Sequence, residues 1–416
     1  MSLFQLAALF LTFTAVVGWV NARLTRLPQG VAMLAAGLMG ATALYGVQTL
    51  WPGLDGIAQT TRAIADLDFP KTVVGYMLAF LLFAGAMRVD FGEMRKRRLA
   101  VLTLATLGVL ASTLLVGGGV WAAAKALGLG LPLAWALVFG ALISPTDPVA
   151  VLAVVRQGGL SRRLQAILQG EALFNDGVGI VVFLAALAVA TAGGAADPAR
   201  AGLQVLIQAV GGLAFGFLAA FVAIRAMAAI DDHVVEAMLS LALAVGVYAA
   251  ADALGLSGPI AVVAAGLLFG DRAREALSGG SRTYLESFWL LVDEILNALL
   301  FFLLGLELLI VPFHPQFLAL WAAAIPLVLV VRFAVVAPWG AYLHFSRQER
   351  APSLILTWGG LHGALSLALA LSIPPGPERA LLLSATYAVV VFSVAVQGLT
   401  FGPLVAAVNR IAVRPG

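Results

Sequence analysis

Several ionisable residues of this chain lie inside long apolar segments, where a charge is expensive to bury. A charged side chain at the centre of a bilayer costs roughly 2.5–3.5 kcal/mol, so each such residue is a candidate for function. They are Asp147, Glu171, Asp176, Asp293, Glu294 and Arg332. Asp252 and Glu307 lie nearer the ends of such segments. Carboxylates in this setting can bind a cation or carry a proton.

Asp147 lies between two prolines in Ser144–Pro148, which reads SPTDP. Proline removes a backbone donor and disfavours helical dihedrals in the residue before it, so an unwound stretch is expected inside an apolar segment. The backbone groups freed there need a polar partner or an ion, which makes Thr146 and Asp147 candidate ligands. The alternative is a kink that neighbouring helices satisfy, with Asp147 neutralising the helix ends.

A second polar cluster follows in Glu171–Gly177, which reads EALFNDG. Glu171 and Asn175 are one helical turn apart on one face, whereas Asp176 is about 100° further round. Arg332 lies deep in its own apolar segment, and an unpaired buried carboxylate is costly, so Glu171 is its expected partner. Asp176 is then left without a fixed counter-charge, so a proton and a cation can compete for it. The alternative is a protonated, structural Asp176.

The elements that carry these residues are membrane helices. The 416 residues are 62% hydrophobic and 11% charged, about half the charged fraction of a soluble protein. About 20 helical residues cross a bilayer core, and hydropathy with turn residues predicts thirteen spans. They are 3–22, 28–50, 70–88, 99–127, 132–156, 162–193, 201–230, 234–253, 256–271, 284–310, 316–345, 350–373 and 377–409. The prediction is an all-α polytopic membrane protein.

Composition and charge placement exclude other classes. The chain has no cysteine and only four scattered histidines, which argues against disulfides, Cys-ligated zinc and multi-His metal sites. The net charge of +3 is small and dispersed, so no nucleic-acid partner is expected. Membrane lipid is the expected surrounding partner of such an apolar chain. Most Lys and Arg residues follow odd-numbered spans, so the positive-inside rule predicts an outside N-terminus and a cytoplasmic C-terminus.

The segment Trp358–Gly363, which reads WGGLHG, is a second weak helix inside an apolar segment. Its glycines permit either close helix packing or a break that corresponds to Ser144–Pro148. The two segments are seven spans apart, and an odd offset inverts the orientation of the helix. Broken helices at corresponding positions of inverted halves are typical of secondary transporters, whose site lies where they cross.

With these motifs the chain resembles the sodium/proton exchanger branch of the cation/proton antiporters, the NhaP-like and animal-exchanger group. Ser144–Pro148 and Glu171–Gly177 carry the resemblance. Arg332 in its helix supports it, and so do four further stretches, which are Leu254–Gly270, Phe288–Leu308, Trp358–Leu369 and Tyr387–Thr400. The likeness extends over nearly the whole chain.

The resemblance implies a fold of thirteen helices in inverted repeats, with two unwound helices that cross. It implies a homodimer, in the bacterial inner membrane, built from scaffold and core parts. The scaffold is expected in residues 1–98 and 234–310, the core transport helices in 99–193 and 311–416, and a linker helix in 194–233.

The resemblance also implies roles for individual residues. The family's functional residues map onto Asp176 (ion binding), Asn175 (its partner), Thr146 and Asp147 (cation site), and Glu171 and Arg332 (structural ion pair). Asp176 and Thr146 are the expected ligands of the transported monovalent cation, and no cofactor is expected.

Three positions depart from the usual pattern of the family. Many relatives have Glu where this chain has Ala84, and Ser where it has Ala172, so two possible cation ligands are absent and the identity of the ion is left open. His362 replaces an Arg in Gly-Gly-Leu-Arg-Gly, which exchanges a permanent charge for a titratable one. A charged His362 would repel cations and modulate the pH response, whereas a neutral His362 would hydrogen-bond a backbone carbonyl.

The predicted function is secondary active transport, not enzyme catalysis. One monovalent cation, Na⁺ or else K⁺ or Li⁺, exchanges for one proton by alternating access. Because Asn175 is neutral, Asp176 supplies the one exchangeable charge, and an electroneutral 1:1 cycle follows. An intramembrane aspartyl hydrolase built on Asp147 and Asp176 is an alternative, but it gives no role to Glu171 and Arg332. A passive cation channel is a further alternative.

Overall fold

The chain folds almost entirely into helices. The computed structural model describes residues 3–50, 73, 75, 77–147, 159–192, 198–277, 279–309, 311, 314–347 and 349–410. Within these ranges, nine helices are long and apolar enough to cross a membrane. The remaining predicted spans correspond to helices that are shorter, broken or charged at one end.

The helices follow one another along the chain with short connections. The N-terminal half forms α1 (Leu3–Val20), α2 (Gln29–Leu50), α3 (Leu78–Arg88), α4 (Phe91–Lys96), α5 (Arg98–Ala126), α6 (Leu133–Ile143) and α7 (Arg162–Thr191). The C-terminal half forms α8 (Pro198–Met227), α9 (His233–Ala253), α10 (Gly258–Ala276), α11 (Gly279–Leu306), α12 (Leu318–Arg347), α13 (Pro352–Trp358), α14 (Ala364–Leu371) and α15 (Pro377–Arg410). Wider π-helical turns lie within α5 and α15, at Leu104–Gly108 and Ser393–Gln397.

All thirteen predicted spans coincide with these helices over the described residues. Within the predicted spans, residues 70–72, 74, 76, 148–156, 193 and 310 lie outside the described residues. The boundaries differ most where polar sequence continues a helix beyond its apolar part. Thus α11 begins at Gly279 rather than at 284, and Arg282 donates to Glu286 one turn later, at 2.9 Å. Hydropathy detects the apolar part of a helix and misses such polar extensions.

Side-chain caps define where three helices begin. Asp90 accepts the backbone N–H of Glu93 at the start of α4, and Ser161 accepts that of Leu164 at the start of α7. Asp232 does the same at the start of α9. Each cap satisfies a backbone donor that has no partner within its helix.

The helices pack in two groups. In the first, α2 lies against α11, and α10 packs on α3, α8 and α9. In the second, α6 packs on α5 and α7, while α12 contacts α5, α13 and α15. Helix α14 packs on α6 and α15, and α7 also touches α8 and α10 of the first group. The second group therefore carries both expected breaks, and α7 links it to the first.

Candidate functional site

The two broken segments cross at the centre of the second helix group. Helix α6 ends at Ile143, and the following residues up to Asp147 are no longer part of a helix. Helix α13 ends at Trp358, and α14 begins only at Ala364. Asp147 and Leu361 form an antiparallel bridge, in which the N–H of Asp147 donates to the carbonyl of Leu361 at 2.7 Å. Each break thus satisfies backbone groups of the other.

His362 holds the crossing together from both its backbone and its ring. Its backbone N–H donates to Oγ of Ser393 at 2.8 Å, and its Nδ1 lies 3.1 Å from the carbonyl oxygen of Pro145. A carbonyl only accepts, so Nδ1 must carry the hydrogen in this contact. Ser393 in turn donates to Oε1 of Gln397, at 2.6 Å, within the π-helical turn of α15. A third helix therefore supports the crossing.

Two glycines of the second break allow the close approach. A Cβ on Gly363 would lie 2.9 Å from Cβ of Asp147, and a Cβ on Gly360 would lie 2.8 Å from the guanidinium carbon of Arg332. At both positions the neighbouring residue is too close for any side chain larger than that of glycine. The glycines thus serve the packing and the break together.

Asn175 of α7 completes the first break. Its Nδ2 donates to Oγ1 of Thr146 at 2.8 Å, and its Oδ1 accepts the backbone N–H of Thr146 at 3.3 Å. Both residues are buried. The amide therefore positions Thr146, and its donor and acceptor are both engaged there.

Glu171 and Arg332 form a buried, bidentate ion pair. Nη2 of Arg332 donates to Oε2 of Glu171 at 2.9 Å, and Nη1 contacts the other carboxylate oxygen. Nη2 also donates to the carbonyl of Leu356, at 3.2 Å. The expected partners are in contact, and the guanidinium joins α7 and α12 to α13, the first half of the second broken helix.

Asp176 points away from these structural contacts and faces a cavity. The cavity has a volume of about 250 Å³, and Thr146, Asp147 and Ala172 also line it. Within the described part of the chain, the carboxylate of Asp176 has no ion pair and no hydrogen bond. Asp147 is the charged residue whose field acts on it. Carboxylate, hydroxyl and backbone oxygens at one place suit a cation that prefers oxygen ligands.

The opposite wall of the cavity contains polar residues of the first helix group. Arg88 of α3 donates to Asp293 of α11 at 2.5 Å, and Nδ2 of Asn297 donates to the same carboxylate at 2.8 Å. All three residues line the cavity. The sequence singled out Asp293 but missed its partners, although Asn297 follows it by one helical turn.

A polar stripe on α7 also escaped the sequence interpretation. Gln165 and Gln169 line the cavity together with Ala172 and Asp176. Their spacing of four, three and four residues places them on one helix face. This spacing is visible in the sequence. It indicates that polar side chains line the route by which an ion reaches Asp176.

The two alanines that stand where the resemblance led us to expect polar residues differ in position. Ala172 lines the cavity together with Asp176, so a hydroxyl at this position would lie in the same cavity. Ala84 is fully buried and is not among the residues that line this cavity.

Comparison with known proteins decides the family. The model of the sodium/hydrogen exchanger transmembrane family matches residues 10–407. The chain belongs to this family. It is 41% identical to the Na⁺/H⁺ antiporter NhaP of Pseudomonas aeruginosa, over 96% of each chain. It is 35% identical to the Na⁺/H⁺ antiporter NhaH of Halobacillus aidingensis, over 92% of this chain and 93% of that one.

A solved structure supports the fold. The sodium proton antiporter MjNhaP1 from Methanocaldococcus jannaschii matches with a TM-score of 0.72 at 21% identity, over 97% of this chain and 98% of that one. The predicted all-α antiporter fold with two crossing broken helices is confirmed. This sodium/hydrogen exchanger is a multi-pass membrane protein and a cation/proton exchange transporter, not a hydrolase or a channel.

Proposed function

We propose that this exchanger moves Na⁺ against H⁺, one for one, with Asp176 binding either ion in turn. The observation that carries the proposal is the position of Asp176. It faces the cavity at the crossing with no partner among the described residues, whereas Glu171 and Asn175 on the same helix are fully engaged. A buried carboxylate of this kind is neutralised either by a proton or by a cation.

Thr146 and Asp147 are proposed to complete the cation site. Thr146 is held by Asn175, and the backbone of Asp147 is held by Leu361. Both line the cavity with Asp176, so their oxygens can approach a cation bound to its carboxylate. K⁺ and Li⁺ also bind oxygen ligands. We propose Na⁺ as the transported cation because the similar proteins are named Na⁺/H⁺ antiporters.

We propose that the second helix group moves as the transport core against the first. The core is assigned to residues 99–193 and 311–416, the scaffold to 1–98 and 234–310, and the linker to 194–233. Support comes from the cavity, since Asp176 and Thr146 of the second group face Arg88 and Asp293 of the first across it. A core that slides along this boundary would expose Asp176 to each side in turn.

A homodimer in the bacterial inner membrane, with an outside N-terminus, is proposed as the assembly. Helix α1 is the contact surface that we propose, because large apolar side chains project from it towards either lipid or a second copy. They are Phe4, Leu9, Leu11, Phe13, Val16 and Trp19. The natural chain lacks cysteine, so Trp19→Cys introduces a single cross-linking site. A dimer through α1 predicts a disulfide-linked pair in membranes, and an absence of linked pairs would argue against this interface.

The experiment for the exchange proposal is cation-induced dequenching of a pH-sensitive dye in proteoliposomes. Asp176→Asn keeps the shape of the side chain and removes its charge, so exchange should vanish while the protein stays folded. The control is Glu286→Gln, an exposed carboxylate on α11, which should exchange at the wild-type rate. Na⁺, K⁺ and Li⁺ are compared across pH. Wild-type dequenching by Asp176→Asn would remove Asp176 from the mechanism.

A further inference from the structure

Three buried polar atoms close to the boundary between the helix groups have no hydrogen-bond partner in the described part of the chain. They are Oε2 of Glu307, Oγ of Ser366 and Oη of Tyr387. The residues are 4%, 1% and 6% exposed, respectively. Buried polar groups are normally hydrogen-bonded, so each exception calls for an explanation.

Glu307 lies on the same helix face as the polar wall of the cavity. Asp293, Asn297 and Leu300 of α11 line that cavity. Helical spacing continues this face to Leu304 and then to Glu307, at the turn that extends α11. At 1.5 Å per residue, Glu307 is about 21 Å beyond Asp293 along the axis. One scaffold helix thus presents a carboxylate near each end of the path, with buried leucines between them.

The other two orphan atoms belong to the second helix group. Tyr387 is on α15, and the carboxylate of Glu307 is the charged group that acts on its hydroxyl. Ser366 is on α14 and lines the cavity of Asp176. Unpartnered polar groups therefore occur both at the cavity of Asp176 and at Glu307, which is buried and does not line that cavity.

We propose that Glu307 and Tyr387 form a second binding station for the hydrated monovalent cation, on the side of the membrane opposite to Asp293. The inference rests on the alternating access proposed above. When the core group carries Asp176 towards Glu307, water and the cation reach the two orphan groups and supply the missing partners. At the open end, Asp293 is the corresponding carboxylate beside the path, where Arg88 and Asn297 contact it.

The chain provides a matched control in another buried glutamate. Glu236 of α9 is 1% exposed and also has an unpartnered Oε2 among the described residues. It lies in the first turn of its helix, where the helix dipole stabilises a carboxylate. It is not among the residues that line the cavity.

The test is the sidedness of the Na⁺ dependence in oriented proteoliposomes. Removing one carboxylate beside a bound cation predicts a rise of about fivefold in the apparent KM for Na⁺. Glu307→Gln should show this rise only on the side away from Asp293, and Asp293→Asn only on the other side. Glu236→Gln should leave both values unchanged. If Glu307→Gln does not fold, Tyr387→Phe should raise the KM on the same side by a smaller factor.

The outcomes separate the two proposals. For Glu307→Gln, an equal rise of the apparent KM for Na⁺ on both sides, or no rise on either side, would overturn the proposed second binding station. The exchange proposal would still stand. A wild-type protein that does not exchange Na⁺ for H⁺ would overturn both, because the station depends on the exchange.

Discussion

Asn175 and Asp176 are neighbours in sequence with separate tasks. One residue step turns the side chain by about 100° around α7, so the amide meets Thr146 while the carboxylate meets the cavity. Asn175→Ala leaves the hydroxyl and N–H of Thr146 without a partner, which should cost about 1–3 kcal/mol. We expect a lower Tm and a raised KM for Na⁺.

Thr146→Ser is the matched control for this prediction. It keeps both groups that Asn175 contacts, so its KM should stay close to the wild-type value. If Asn175→Ala matched the wild type in Tm and KM, the amide would have no role in positioning Thr146.

Glu171 and Arg332 are expected to serve stability rather than transport. Loss of one partner leaves the other charge buried, at a cost of about 3–5 kcal/mol, whereas replacing both with apolar groups is much milder. Thermal melts should therefore place Glu171→Ala and Arg332→Ala well below the double variant Glu171→Leu/Arg332→Met. Single variants that melt like the wild type would show that the pair contributes nothing.

His362 offers two alternatives that a pH series separates. Its ring contact with the Pro145 carbonyl suits a donor on Nδ1, which both the neutral and the charged imidazole carry. We expect the neutral form because the side chain is buried. A Gln side chain can donate the same bond, so His362→Gln and wild type should show superimposable curves of KM for Na⁺ from about pH 6 to 9. Both curves should rise as the pH falls, because in the proposed exchange protons compete with Na⁺ at Asp176. A flatter curve for His362→Gln would instead make His362 a pH modulator.

At the scale of the helices, local signals predicted both breaks. Pro145 and the glycines around His362 disfavour a helix, and the structure ends its helices there. The same residue types also lie inside α5 and α12 without ending them, so the polar residues beside the breaks were part of the signal. The supporting contacts were not predictable in this way. The bond from His362 to Ser393 and the pair of Arg88 with Asp293 join residues far apart in sequence. Such contacts depend on how the helices pack, which no local pattern specifies.

The closeness of the two breaks leads to a prediction at this scale. A methyl group on Gly363 would collide with Asp147, so Gly363→Ala should push the crossing segments apart and abolish exchange. Gly118 of α5 has no atom within 4 Å of such a methyl group, so Gly118→Ala should exchange normally and gain about 0.5–1 kcal/mol in stability. Melting curves and dequenching on both variants check this. Normal exchange by Gly363→Ala would mean that the close crossing is dispensable.

Across the whole molecule, the path to Asp176 differs on its two sides. On one side, the cavity extends to Asp176 from the region lined by Arg88, Asp293 and Gln165. Towards Glu307, buried Leu304 follows the lining residue Leu300 on α11. A site that is open on one side and covered on the other is the arrangement that alternating access requires. We expect motion of the proposed core relative to the proposed scaffold to reverse the two sides.

The charge carried in that motion determines whether the protein responds to membrane potential. Asp176 moves as a neutral unit in both directions if it carries one H⁺ one way and one Na⁺ the other. Exchange of Na⁺ in liposomes clamped with K⁺ and valinomycin should therefore be insensitive to voltage, and its reversal point should depend on the two ion gradients alone. A reversal point that shifts with voltage would require a second proton carrier. Asp147 would be the first residue to test, because its field already acts on Asp176.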